Sequence, residues 1–88
     1  DYKTAIDWYK LAANQENIKA QYNLGVMYFQ AKGTKMNLEK SIFYHRKACK
    51  NGLLQSCKSL KNLIFLENIQ KNKSELEEKP LFEPISIE

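Results

Sequence analysis

The sequence predicts an all-α fold, an α-solenoid of helix-turn-helix hairpins, and three observations carry that expectation. The chain repeats itself: Asp1 to Ala31 lies over Asn37 to Glu67, an offset of 36 residues (37 − 1). Ile6/Ile42, Ala12/Ala48, Leu24/Leu60 and Phe29/Phe65 are identical pairs, while Trp8/Tyr44, Lys10/Arg46, Ile18/Leu54 and Met27/Leu63 keep size or character. Self-similarity at a fixed period of about 20–50 residues marks stacked repeats. Within each half, apolar residues recur at helical spacing. Turn signals at Asn14 to Asn17, at Gly33 and at Asn51-Gly52 then divide the halves into hairpins.

Each element follows from local chemistry. Asp1 is a good N-cap for Tyr2 to Asn14, which lacks Gly and Pro and places Ala5, Trp8/Tyr9 and Ala12 on one stripe. A second helix runs from about Ile18 to Ala31, with Ala20, Leu24, Met27/Tyr28 and Ala31 in line. Gly33 ends that hairpin where the chain needs a positive φ. Asn37 caps a third helix with its stripe at Ser41, Tyr44/His45 and Ala48. A fourth starts near Leu53 and carries Cys57, Leu60 and Leu63/Ile64. The polar run Lys71 to Lys79 reads as an extension of that helix or a fifth, separate one. Pro80 and Pro84 make Leu81 to Glu88 an extended tail. The expected organisation is hairpin one at 1–36, hairpin two at 37–71, and a polar extension with tail at 72–88.

Small residues explain how the helices approach. Ala5, Ala12, Ala20 and Gly25 leave room for Trp8, Tyr22, Leu24 and Tyr28 to fill the gaps of the first hairpin. In the second copy Gly25 is answered by Lys61 and Val26 by Asn62. A lysine where the next helix would press close predicts the end of an array.

Composition narrows the function. The hydrophobic fraction of 43% is that of a globular chain, and no apolar run approaches the ~20 residues a membrane helix needs. The net charge of +4 comes mostly from scattered lysines, with the single arginine Arg46. A nucleic-acid reader would concentrate arginines in a stripe, so the charge reads as a solvated surface. Asp1, with neither start methionine nor signal peptide, reads as a boundary made by cleavage or truncation.

At this point the residues resemble a family. Ala5-Ile6-x-Trp8-Tyr9-Lys10-x-Ala12-Ala13, then Ala20-Gln21-x-x-Leu24-Gly25-x-Met27-Tyr28, then Gly33 and Asn37 is similar to the Sel-one-like repeat, a helical hairpin related to tetratricopeptide repeats. The likeness covers about Asp1 to Leu66. It departs from the family at Glu16 and Ala31, where glycine is preferred, and at Asn37 in place of aspartate. The second copy, with Lys47-Ala48-Cys49, seven residues and Cys57, resembles the exported bacterial proteins of cysteine-rich Sel-one-like repeats. That resemblance implies one disulfide per hairpin, here Cys49–Cys57, and an oxidising compartment, periplasmic or secreted. With a turn between them the two cysteines can face one another, whereas on one continuous helix they would stand about 12 Å apart. The alternative is a pair of reduced, buried cysteines in a cytosolic protein.

Catalytic and metal chemistry finds little to work with. A single His45 and two cysteines cannot complete a four-ligand zinc site at these spacings, and His45 reads as a half-buried packing position. No cofactor is expected. The resemblance to cysteine-rich repeats raises β-lactam binding or slow hydrolysis, but no serine here has a lysine three positions on, as the serine β-lactamase signature requires.

The expected role is a non-catalytic scaffold for other proteins or a docked peptide, with no nucleic acid and no membrane insertion, as the C-terminal part of a longer array or an assembly subunit. First helices of such hairpins usually line the concave face. Off their packing stripes stand Thr4, Asp7 and Leu11 in the first copy and Lys40, Phe43 and Lys47 in the second, which makes those six the expected partner-binding residues. The other expectation is a repeat protein that binds or weakly hydrolyses β-lactams or peptidoglycan fragments.

Overall fold

The computed structural model describes residues 1–78, which form four helices in series: α1 (Tyr2–Asn14), α2 (Ile18–Gln30), α3 (Leu38–Lys50) and α4 (Leu54–Glu78). Two helical hairpins, α1–α2 and α3–α4, pack side by side, with α2 in the middle against both α1 and α3. The α2–α3 seam between hairpins is the most extensive of the three. The polar run from Lys71 does not form a separate helix; α4 continues through it to Glu78. The extended tail expected at 80–88 lies outside the described residues.

The helix starts are set by three side chains. Asp1 Oδ1 accepts from the backbone N–H groups of Lys3 (2.9 Å) and Thr4 (3.2 Å). Asn17 Oδ1 accepts from Ala20 N and Asn37 Oδ1 from Lys40 N, each at 2.9 Å. Each satisfies a donor that has no partner within its own helix. Asn37 therefore supplies the cap oxygen that an aspartate would.

The core of the first hairpin is Ile6, Ala13, Ala20, Leu24, Met27 and Tyr28, and Tyr44 of α3 packs on it. The stripe expected on α1, Ala5, Trp8/Tyr9 and Ala12, flanks this core, whose buried centre on α1 is Ile6 and Ala13. Ala5, Tyr9 and Ala12 are half-buried, and Trp8 is 67% exposed rather than filling the hairpin. The reason is that α1 packs on a single neighbour. Its Trp8 side corresponds to the side that α3 turns toward α2, and nothing among the described residues covers it.

The α2–α3 seam closes around Gly25. Ser41 Oγ donates to Gly25 O at 2.6 Å, and the His45 ring lies so near that a Cβ on Gly25 would fall 2.5 Å from it. Tyr28 and Tyr44 stack across the same seam with centroids 5.9 Å apart. After α2, Gly33 turns at φ 79 with its Cα packed on the start of α1; an added Cβ would meet the Tyr2 backbone carbon at 2.7 Å. Any other residue there meets both strain and a backbone clash.

The two departures from glycine have a visible cost. Ala31, the C-cap of α2, sits at φ 58, and Glu16 at φ 66. Both are left-handed positions that disfavour a Cβ. In the second copy the partner of Glu16 is Gly52, at φ 106.

Candidate functional site

Two surfaces qualify as sites, on opposite sides of α3. The turn of 100° per residue, as on any α-helix, puts Ser41, His45 and Ala48 on one side and Phe43 and Lys47 on the other. All three of the first group are buried, whereas Phe43 is 52% exposed.

The outer ridge carries the six residues expected to bind a partner. On α3, Phe43 meets Tyr44 edge-on at 5.1 Å, and the Lys47 ammonium lies 5.3 Å from the Phe43 ring centroid. Lys40 covers the Tyr28 ring at 5.3 Å, so Lys40, Phe43 and Lys47 form one aromatic and cationic strip with Tyr28 and Tyr44. Such contacts hold lysine side chains over apolar surface while their charges stay in water. On α1, Asp7 is exposed and Leu11 is 59% exposed, but the Thr4 hydroxyl is engaged by Asp1 Oδ2 at 3.1 Å and belongs to the helix cap. Burial, and then Tyr28, push the Tyr44 phenol above its ordinary pKa, with Lys10 of α1 opposing them.

The second surface was not anticipated from the sequence. A groove of about 410 Å³ runs between α2 and α4, with Tyr22, Val26 and Phe29 on one wall and Ser59, Leu63 and Leu66 on the other. His45 of α3 forms its floor. The signal was there in Asn62, which replaces Val26 of the first copy, and in the exposed Phe29 and Leu66.

His45 is more deeply buried than its sequence position suggested, at 2% exposure. Its Nδ1 lies 3.2 Å from Ser56 Oγ, and Tyr22 meets the ring edge-on at 5.4 Å. Burial lowers its pKa below the ordinary value near 6.5, so the imidazole is neutral at physiological pH. Ser56 is wholly buried, so this His–Ser contact does not present a nucleophile to a substrate. Among the described residues no cluster of His, Cys, Asp and Glu could hold a metal ion, and no helix is long and apolar enough to cross a membrane.

The hairpins are closed near their turns. Cys49 and Cys57 form a disulfide with their Cα atoms 4.7 Å apart, and there are no free cysteines. The corresponding residues of the first copy are Ala13 and Gln21. There the wholly buried Gln21 Nε2 donates to Ala13 O at 3.3 Å, and Gln21 Oε1 accepts from Asn51 Nδ2 at 3.0 Å. One pair of positions thus holds a hydrogen-bonded clamp in α1–α2 and a covalent one in α3–α4.

The Sel1 repeat profile matches residues 1–17 and 18–53, more than half of the chain. The chain belongs to the Sel1 repeat family. The second matched segment spans 36 residues (53 − 18 + 1), the period of the internal echo, and begins at α2. It therefore encloses the Gly25–His45 seam. Sel1 repeats are helical-hairpin modules that mediate protein–protein interaction and are generally non-catalytic. The Cys49–Cys57 bond is consistent with the cysteine-rich branch that the second copy resembles. No match is found among curated proteins.

Proposed function

We propose that this Sel1 repeat chain is a non-catalytic scaffold of a bacterial cell envelope or secreted protein, forming the C-terminal part of a longer array or a subunit of an assembly. The observation that carries the scaffold reading is the outer ridge. Leu11 and Phe43 are large apolar side chains held out to solvent, and Phe43 is braced between Tyr44 and Lys47. A preorganised aromatic with a cationic rim suits a hot spot for a protein or a docked peptide. The compartment rests on the disulfide, because such bonds persist where thiols are oxidised. The array rests on the uncovered Trp8 side of α1 and on Lys61 standing where Gly25 would admit another helix.

A photo-crosslinker at position 47, with Phe43 intact, tests this reading in the native source. One protein partner, captured in stoichiometric amount and lost when the same chain also carries Phe43→Ser, supports it. A partner indifferent to that change removes the ridge from the account.

The second reading is binding of β-lactams or peptidoglycan fragments, favoured by the volume of the α2–α4 groove, which falls within the size range of small-molecule sites. Saturable turnover of a chromogenic β-lactam by the pure chain would replace the scaffold reading with this one.

A further inference from the structure

The uncovered side of α1 has an occupied copy inside the same molecule. Ser41, His45 and Ala48 of α3 are 0%, 2% and 0% exposed because α2 lies on them. Their counterparts Ala5, Tyr9 and Ala12 are each more exposed, and Trp8, the counterpart of Tyr44, is open to solvent. The groove beside them repeats the pattern. Tyr9, Asn23, Val26 and Met27 line an open depression of about 250 Å³, and they match His45, Ser59, Asn62 and Leu63 of the α2–α4 groove. What the first depression lacks is the wall that Tyr22, Val26 and Phe29 of α2 supply to the second.

We propose that α1 seats the second helix of a preceding repeat hairpin, and that Tyr9 admits this helix only with glycine at the position Gly25 holds in α2. The occupied copy sets the register. His45 rests on Gly25 so closely that one added carbon would overlap it, and Tyr9 is the larger ring at the same place. Beside Tyr9, Trp8 takes the place of Tyr44, which stacks on Tyr28 one turn along α2 from Gly25, so the incoming helix carries an aromatic residue there. Ala5 lacks the hydroxyl by which Ser41 binds the Gly25 carbonyl, so this contact is absent at α1.

The same rule excludes a second copy of the chain docking head to tail. The helix it would offer is α4, whose residue at the Gly25 position is Lys61. A lysine against Tyr9 meets the overlap that glycine avoids. The occupant is therefore a repeat helix other than α4.

The inference rests on the longer-array reading, and Trp8 supplies its probe, since it is the only tryptophan of the chain and lies in the proposed seat. The titrant is a stapled helical peptide with the sequence of residues 17–31, bridged between Lys19 and Asn23 and thus clear of Gln21, Gly25 and Tyr28. The expected result is a saturable blue shift of Trp8 emission, with roughly ten-fold or weaker affinity for the same peptide carrying Gly25→Lys. Lysine raises the peptide's helicity, so weaker binding cannot come from a lost helix. Equal binding of both peptides, or no response to either, overturns the proposal. The array reading fails on different data, an intact mass of the endogenous polypeptide that leaves no room for a further repeat.

Discussion

The two hairpins share one backbone plan and close it by different chemistry. In α1–α2 the wholly buried Gln21 reaches the Ala13 carbonyl and is itself held by Asn51, whereas in α3–α4 the equivalent pair is the Cys49–Cys57 bond. The turns differ in the opposite sense. The first has a side-chain cap, Asn17, but carries Glu16 in a left-handed conformation. The second has Gly52 at that position, and Leu53, with no side-chain oxygen, where Asn17 stood. The comparison teaches that one frame tolerates two balances: a good cap with a strained turn and a polar clamp, or an uncapped helix with a relaxed turn and a covalent clamp.

The largest effect expected is from removing the covalent clamp. A disulfide closing so short a loop contributes about 2–3 kcal/mol, so Cys49→Ala with Cys57→Ala should lower the thermal midpoint clearly. A melt unchanged by that double substitution, or by reductant, would leave the second hairpin stabilised by packing alone. Next comes Gln21→Ala, which strands the Ala13 carbonyl and the Asn51 amide; a loss of about 1–2 kcal/mol in denaturant titration is expected. A neutral result there would mean that the first hairpin has no clamp.

Exchanging the turn residues should move stability by less and in both directions. Ala31→Gly and Glu16→Gly are each expected to stabilise by about 1 kcal/mol by relieving a left-handed Cβ, and Gly52→Ala to destabilise similarly. Glu16→Gly gains somewhat less, because Glu16 Oε1 also accepts from Asn51 at 3.4 Å. The smallest contrast at neutral pH is His45 against Tyr9. Burial holds His45 below its ordinary value near 6.5, so the folded state binds fewer protons than the unfolded one on acidification. Its contribution is intact above pH 6.5 and is lost as the pH falls below it. His45→Asn should flatten that limb of the stability–pH curve, and an unchanged slope would assign the effect elsewhere.

Much of this was legible in the residues. The period of 36 predicted two hairpins, the Asx residues at 1, 17 and 37 lie at helix starts, and the cysteine pair resembled a known hairpin staple. Gly25 read as a point of close approach, and His45 shows how close. The failures share one cause. Trp8 looked like core because its spacing is that of a buried stripe, and the stripe is correct for a helix covered on two sides. Periodicity marks the face a repeat unit offers for packing, but whether a neighbour covers it is a tertiary fact. The same blindness hid the groove, whose walls come from helices far apart in sequence and meet only because α2 and α4 flank His45.

That positions 13 and 21 are the same clamp as 49 and 57 can be tested in one measurement, the intact mass of an Ala13→Cys, Gln21→Cys chain without reductant. The account predicts a mass lower by a further pair of hydrogens than the native disulfide alone explains, with peptide mapping that joins position 13 to position 21. Two free, alkylatable thiols at those positions would contradict it.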